Sequence, residues 1–81
     1  MNPMILRPTK HSHPDKTVIA VSALIVERLR SKRTERYDEL RRSLIKSHQG
    51  TDTLFLPSLT FLYLMGVLEY HPKTDSFEYI G

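Results

Sequence analysis

Three stretches with helical patterning are followed by two short β-forming runs around a turn, all within residues 15–81. That order predicts a mainly α (α+β) fold of the winged helix-turn-helix type, with the C-terminal β-hairpin as the wing. Two further observations support one small domain. The 81 residues allow a single core, with net stability of about 3–5 kcal/mol. There is no cysteine, so apolar packing rather than a disulfide framework must hold it together.

Residues 1–14 are expected to form an extended arm. Pro3, Pro8 and Pro14 each remove a backbone donor and bias the preceding residue away from helix. Met4, Ile5 and Leu6 give this arm a short apolar segment, suited to packing on the domain or on a partner.

The first helix is expected over about 15–31, with Asp15 as its cap. Val18, Val21, Ser22, Ile25 and Leu29 share one stripe at i, i+3, i+4 and i+7 spacing. Ile19, Leu24 and Val26 lie outside it, which marks a central helix covered on more than one side. A connector at 33–37 with room for a very short strand leads into a second helix, ending near His48. Its buried stripe is Tyr37, Leu40 and Leu44 with Ile45 beside them, and Asp38 and Arg42 form an i,i+4 pair.

Gly50 ends that helix, and the polar run 51–53 can cap the next. The third helix starts between Asp52 and Pro57, because proline is tolerated in a first turn. Gly66 stops it, placing Leu59, Leu62, Tyr63 and Gly66 toward the core. Strands over 67–70 and 77–80 flank the turn residues His71–Ser76.

The opposite side of the third helix carries Thr60, Phe61, Leu64 and Met65. A helix that reads DNA presents Arg, Lys, Asn or Gln there. No Lys or Arg occurs between Lys46 and Lys73. Phe61, Leu64 and Met65, with Ile5 and Leu6 of the arm, are therefore the candidate protein interface. The competing reading is that the arm or the first helix simply covers them.

Charge is uneven: residues 1–46 carry a net +6 and residues 47–81 a net −3. Lys32, Arg33 and Arg36 gather near the connector, as candidates for contact with nucleic acid or an acidic partner. His11 and His13 make a weak metal motif, since Asp15, the one carboxylate beside them, is read as the cap of the first helix. No nucleophile elbow, phosphate-binding glycine loop or paired general acids are present, so no catalytic residue, cofactor, metal or small-molecule substrate is expected. The run TVIAVSALIV is ten residues, against about 20 needed to span a bilayer, and no leader-type segment opens the chain. A cytoplasmic protein without membrane contact is expected.

Three ordered motifs carry a family resemblance. The first is Met4, Ile5, Leu6, Pro8, Thr9, Lys10 and His11, with Arg7 as an insertion. The second is Arg33, Thr34 and Leu40, and the third is Leu59, Leu62, Tyr63, Met65 and Gly66, with Met65 in place of a leucine. Together they resemble the small middle components of bacterial ABC-three-component systems, related to Lamassu-type anti-phage defence. The resemblance implies a non-enzymatic winged-helix adaptor between an SMC-like ABC ATPase and an effector such as a nuclease. The alternative is a small winged-helix DNA-binding regulator using Lys32, Arg33 and Arg36.

Overall fold

The computed structural model describes residues 17–81. Helix α1 runs Val18–Lys32, strand β1 Thr34–Arg36, α2 Tyr37–Ser47, α3 Asp52–Leu64, β2 Leu68–His71 and β3 Ser76–Tyr79. The arm expected at 1–14, with Ile5 and Leu6, and the cap expected at Asp15 lie outside the described residues.

Thr17 caps α1, its hydroxyl oxygen accepting from the Ala20 amide at 3.0 Å. The expected stripe holds: Val21, Ser22, Ile25 and Leu29 are buried, and Val18 is half-buried. Leu24 and Val26 pack on the same core, whereas Ile19 is exposed. Arg33 closes α1 at φ +74°, a conformation that costs an L-residue about 1–2 kcal/mol, and turns the chain into β1.

The connector's short strand joins the wing. β3 is the middle strand, antiparallel to β1 on one side and β2 on the other. Thr34 faces Glu78, and Glu69 faces Glu78 from the other side. Main-chain bonds from the Tyr37 amide to the Asp75 carbonyl (2.8 Å) and from the Tyr79 amide to the Arg33 carbonyl (3.1 Å) tie the hairpin to the helical body. The strands begin one residue away from the expected 67–70 and 77–80, because register with β1 selects the paired residues.

Buried Leu40 and Leu44 form the inner edge of α2, with Tyr37 and Ile45 half-buried. The ion pair expected between Asp38 and Arg42 is replaced by one to Arg36, 3.9 Å away, because Arg36 sits at the helix start beside it. Helix α3 begins at Asp52, a full turn earlier than a start near Leu56 would give, and carries Pro57 inside. Pro57 is exposed, so the carbonyl it leaves unpaired sits on the solvated side. Thr51 does not cap α3 with its side chain; buried, it donates to the His48 carbonyl at 2.8 Å.

The core comprises Val21, Ile25, Leu29, Leu40, Leu44, Phe55, Leu59, Leu62 and Leu68. Phe55 meets Tyr37 edge-on at 5.3 Å. Buried Ser58 donates to the Val18 carbonyl at 3.3 Å, joining α3 to the start of α1. This three-helix body with a three-stranded wing sheet is a winged-helix-like arrangement, as the element order predicts.

Candidate functional site

The buried row of α3 is Phe55, Ser58, Leu59 and Leu62, at i, i+3, i+4 and i+7. Seating Phe55 in the core rotates the helix relative to a row centred on Leu59, Leu62 and Tyr63. Tyr63 is therefore exposed, a correction to its expected core position. Phe61 is corrected the other way: it packs half-buried against the core instead of standing outward. Leu64 and Met65 do stand outward, 77% and 63% exposed.

Helix α3 thus presents an apolar strip that the sequence only partly reveals. Leu56, Tyr63 and Leu64 are exposed at i, i+7 and i+8, with Met65 at the helix end. Leu56, Thr60 and Tyr63 border a depression of about 210 Å³ whose other wall is Tyr70 and Phe77 of the wing. The rings of Tyr70 and Phe77 lie 4.9 Å apart. The Tyr70 hydroxyl donates to Asp75 at 2.7 Å, and this bond holds the phenol above its ordinary pKa. Thr60 donates to the Leu56 carbonyl at 3.0 Å, so its hydroxyl is engaged within the helix. Leu56, Tyr63 and Tyr70 were not among the candidates from sequence; their signal appears only once the wing is folded against α3.

The basic trio does not converge as a phosphate site needs. Lys32 and Arg36 border one shallow depression with Glu35 and Glu39, whereas Arg33 faces Glu78 on the outer side of the wing. Each has a carboxylate at 3.9 Å: Glu35 for Lys32, Glu78 for Arg33 and Asp38 for Arg36.

Among the described residues Glu35 is the buried charge. Arg28 donates to both its oxygens, from Nε at 2.8 Å and Nη2 at 2.7 Å. These hydrogen bonds hold the carboxyl below the usual range, against the opposing effect of burial, and hold the guanidinium above its own. The pair pins β1, and through it the wing, onto α1.

On the outer face of the wing, His71 Nε2 lies 2.9 Å from Glu78 and 3.7 Å from Glu69. One ligand atom from each of the three residues falls within 4.8 Å of the others. Glu78 is engaged by the imidazole and by Arg33, whereas exposed Glu69 approaches His71 only to 3.7 Å. The His11 and His13 pair lies outside the described residues. No helix among the described residues is long and apolar enough to cross a membrane.

Residues 33–80, more than half of the chain, match the family described as ABC-three component (ABC-3C) system middle component 8. The chain belongs to this family of ABC-3C middle components. It is therefore one component of a multi-component system, and protein partners follow from that membership. The matched span contains β1, α2, α3 and the whole wing. Two of the three motifs that carry the sequence resemblance fall inside it, at Arg33–Leu40 and Leu59–Gly66. Neither the curated proteins nor the solved structures supply a match to the chain.

Proposed function

We propose that this middle component is a non-enzymatic adaptor, cytoplasmic, in a Lamassu-like anti-phage defence complex. It would bridge an SMC-like ABC ATPase and an effector of nuclease type. One observation carries the docking part of this reading: the exposed apolar strip on α3, with Leu64 and Met65 at its C-terminal end. Burying each of those side chains against a partner would contribute about 1.5–3 kcal/mol. Ile5 and Leu6 would extend the same interface, and the half-buried Phe61 would support it from beneath.

The family membership supports a place between other proteins, and the sequence resemblance supports the ATPase and effector as those proteins. The DNA-binding alternative is less well supported. Asp52 is the charged residue of α3, so the helix offers no cation or side-chain amide to base edges or phosphates. Contact with DNA, through Lys32, Arg33 and Arg36, would be weak or indirect, since each already faces a carboxylate.

The test is Leu64→Glu with Met65→Glu, co-expressed with the other two components. Both side chains are exposed, so the domain should keep its helical circular dichroism while losing co-purification with one component. Undiminished co-purification of both components would sink the reading. Phe61 is not a suitable target, because charging a side chain packed on the core would perturb the fold itself.

A further inference from the structure

A bridging subunit needs two docking surfaces, and the strip on α3 supplies one. We infer that the outer face of α2 is the second, and that it receives an acidic, amphipathic segment of a partner protein. This rests on the adaptor reading and adds a site and a partner chemistry to it.

The residues of that face fall in two parallel i,i+4 rows, Tyr37–Arg41–Ile45 and Asp38–Arg42–Lys46. They border an open depression of about 720 Å³. Its apolar part comes from Tyr37 and Ile45, both half-buried; the cations rise around them. Arg41, Arg42 and Lys46 are exposed, and among the described residues none forms an ion pair. This differs from Arg28, Lys32, Arg33 and Arg36, all of which have a carboxylate partner. Arg30 and Lys73 also lack an ion pair, but each is a single unpaired cation, bordering a depression with Glu27 and with Asp75 respectively. Asp38, the acid of the face, is drawn to Arg36 and accepts from the Glu39 amide at 3.0 Å. The uncompensated positive charge of α2 therefore lies on this one side.

Charge complementarity selects the occupant. The chain's own first 16 residues carry Arg7, Lys10 and Lys16 against Asp15, the wrong sign to settle here. A second copy has exposed acids at Glu27, Glu39, Asp52 and Glu69, but each lies on a different element, so they do not offer two carboxylates four residues apart on one face. Glu78 and Asp75 of its wing are engaged by His71 with Arg33 and by Tyr70. Such a contact would also join two different faces and need not close into a defined oligomer. A nucleic-acid backbone would meet the cations but would leave Tyr37 and Ile45 without an apolar partner. A segment with carboxylates four residues apart and an apolar side chain between them answers both rows.

The assay uses the full chain with its two partner components, each titrated separately at two salt concentrations. Arg41→Glu, Arg42→Glu and Lys46→Glu together should weaken binding of one component by about tenfold or more, most at low salt, and leave the other unchanged. Arg42→Gln with Lys46→Gln, a milder change, should weaken the same component in the same direction. A zero-length carbodiimide cross-linker should join Lys46 to an Asp or Glu of that component. The inference is overturned if folded charge-reversed protein binds both components normally. It is also overturned if Lys46 cross-links only to a second copy, or if the only binding lost is that of a 20-bp DNA duplex. Leu64→Glu/Met65→Glu keeps the two readings apart. If that variant releases a component while the α2 variants do not, the α2 site falls and the adaptor role stands. If the α2 variants alone release one, the α2 site stands and the α3 strip falls.

Discussion

Glu35→Ala should destabilise this domain by about 2 kcal/mol, a large fraction of what so small a core provides. The substitution removes two charge-assisted hydrogen bonds, at 2.8 and 2.7 Å, from a carboxylate whose side chain is 5% exposed. A hydrogen bond to a charged group contributes about 1.5–3 kcal/mol net, and the two here belong to one ion pair and do not simply add. Arg28 is 34% exposed, so water recovers part of its solvation once the acid is gone, and the net loss stays below the 3–5 kcal/mol typical of a fully buried pair. For a domain of this size, about 2 kcal/mol corresponds to a fall in Tm of about 8–16 °C. The folded Glu35 pKa lies below its unfolded value of about 4.3, so the pair's contribution is complete above that value and is lost as pH falls through the folded pKa. The difference in Tm between wild type and Glu35→Ala should accordingly be widest near neutral pH and narrow below pH 4. Thermal melts followed by circular dichroism at pH 7 and pH 3 measure both effects. A double-mutant cycle with Arg28→Met isolates the coupling. Coupling below about 0.5 kcal/mol at pH 7, or a Tm difference that does not narrow in acid, would refute the role given to this pair.

Two further substitutions probe the fold. Ser22 is buried on α1 and its hydroxyl has no hydrogen-bond partner among the described residues, so Ser22→Ala should raise stability by about 0.5–1 kcal/mol by removing an unsatisfied group and favouring helix. Chemical denaturation would show an increased midpoint at unchanged m. Gly66 turns α3 into the wing at φ +80° with open space around it, so Gly66→Ala should cost about 1–2 kcal/mol through backbone strain alone. Gly66→Asn should cost less, and equal losses for Ala and Asn would argue against that cause.

The first two helices were readable because their apolar spacing is regular. Val21, Ser22, Ile25 and Leu29 give one stripe, Leu40 and Leu44 another, and both are buried as that spacing demands. The wing was readable from its turn residues and the glycine before it. The face of α3 was harder, because a helix apolar on nearly every side has no strong periodic signal. Spacing alone did not tell Phe55 and Ser58 from Tyr63 as core residues, nor Phe61 from Leu64 as the outward one.

By itself the sequence determined the order of elements, the absence of a charged reading helix and the family resemblance. Each depends on residue type and local spacing, which a linear chain displays directly. The tertiary structure decided which side of α3 is free, since that depends on where Phe55 finds its pocket beside Tyr37. It decided that Glu35 is buried against Arg28, a contact across seven residues that only the turn at Arg33 brings together. It also decided which cations remain unpaired. Lys32, Arg33 and Arg36 look free along the chain, but folding sets carboxylates beside them, while the α2 cations Arg41, Arg42 and Lys46 have no ion pair among the described residues. Electrostatic partners are matters of distance through space, and that distance exists only after the chain has packed.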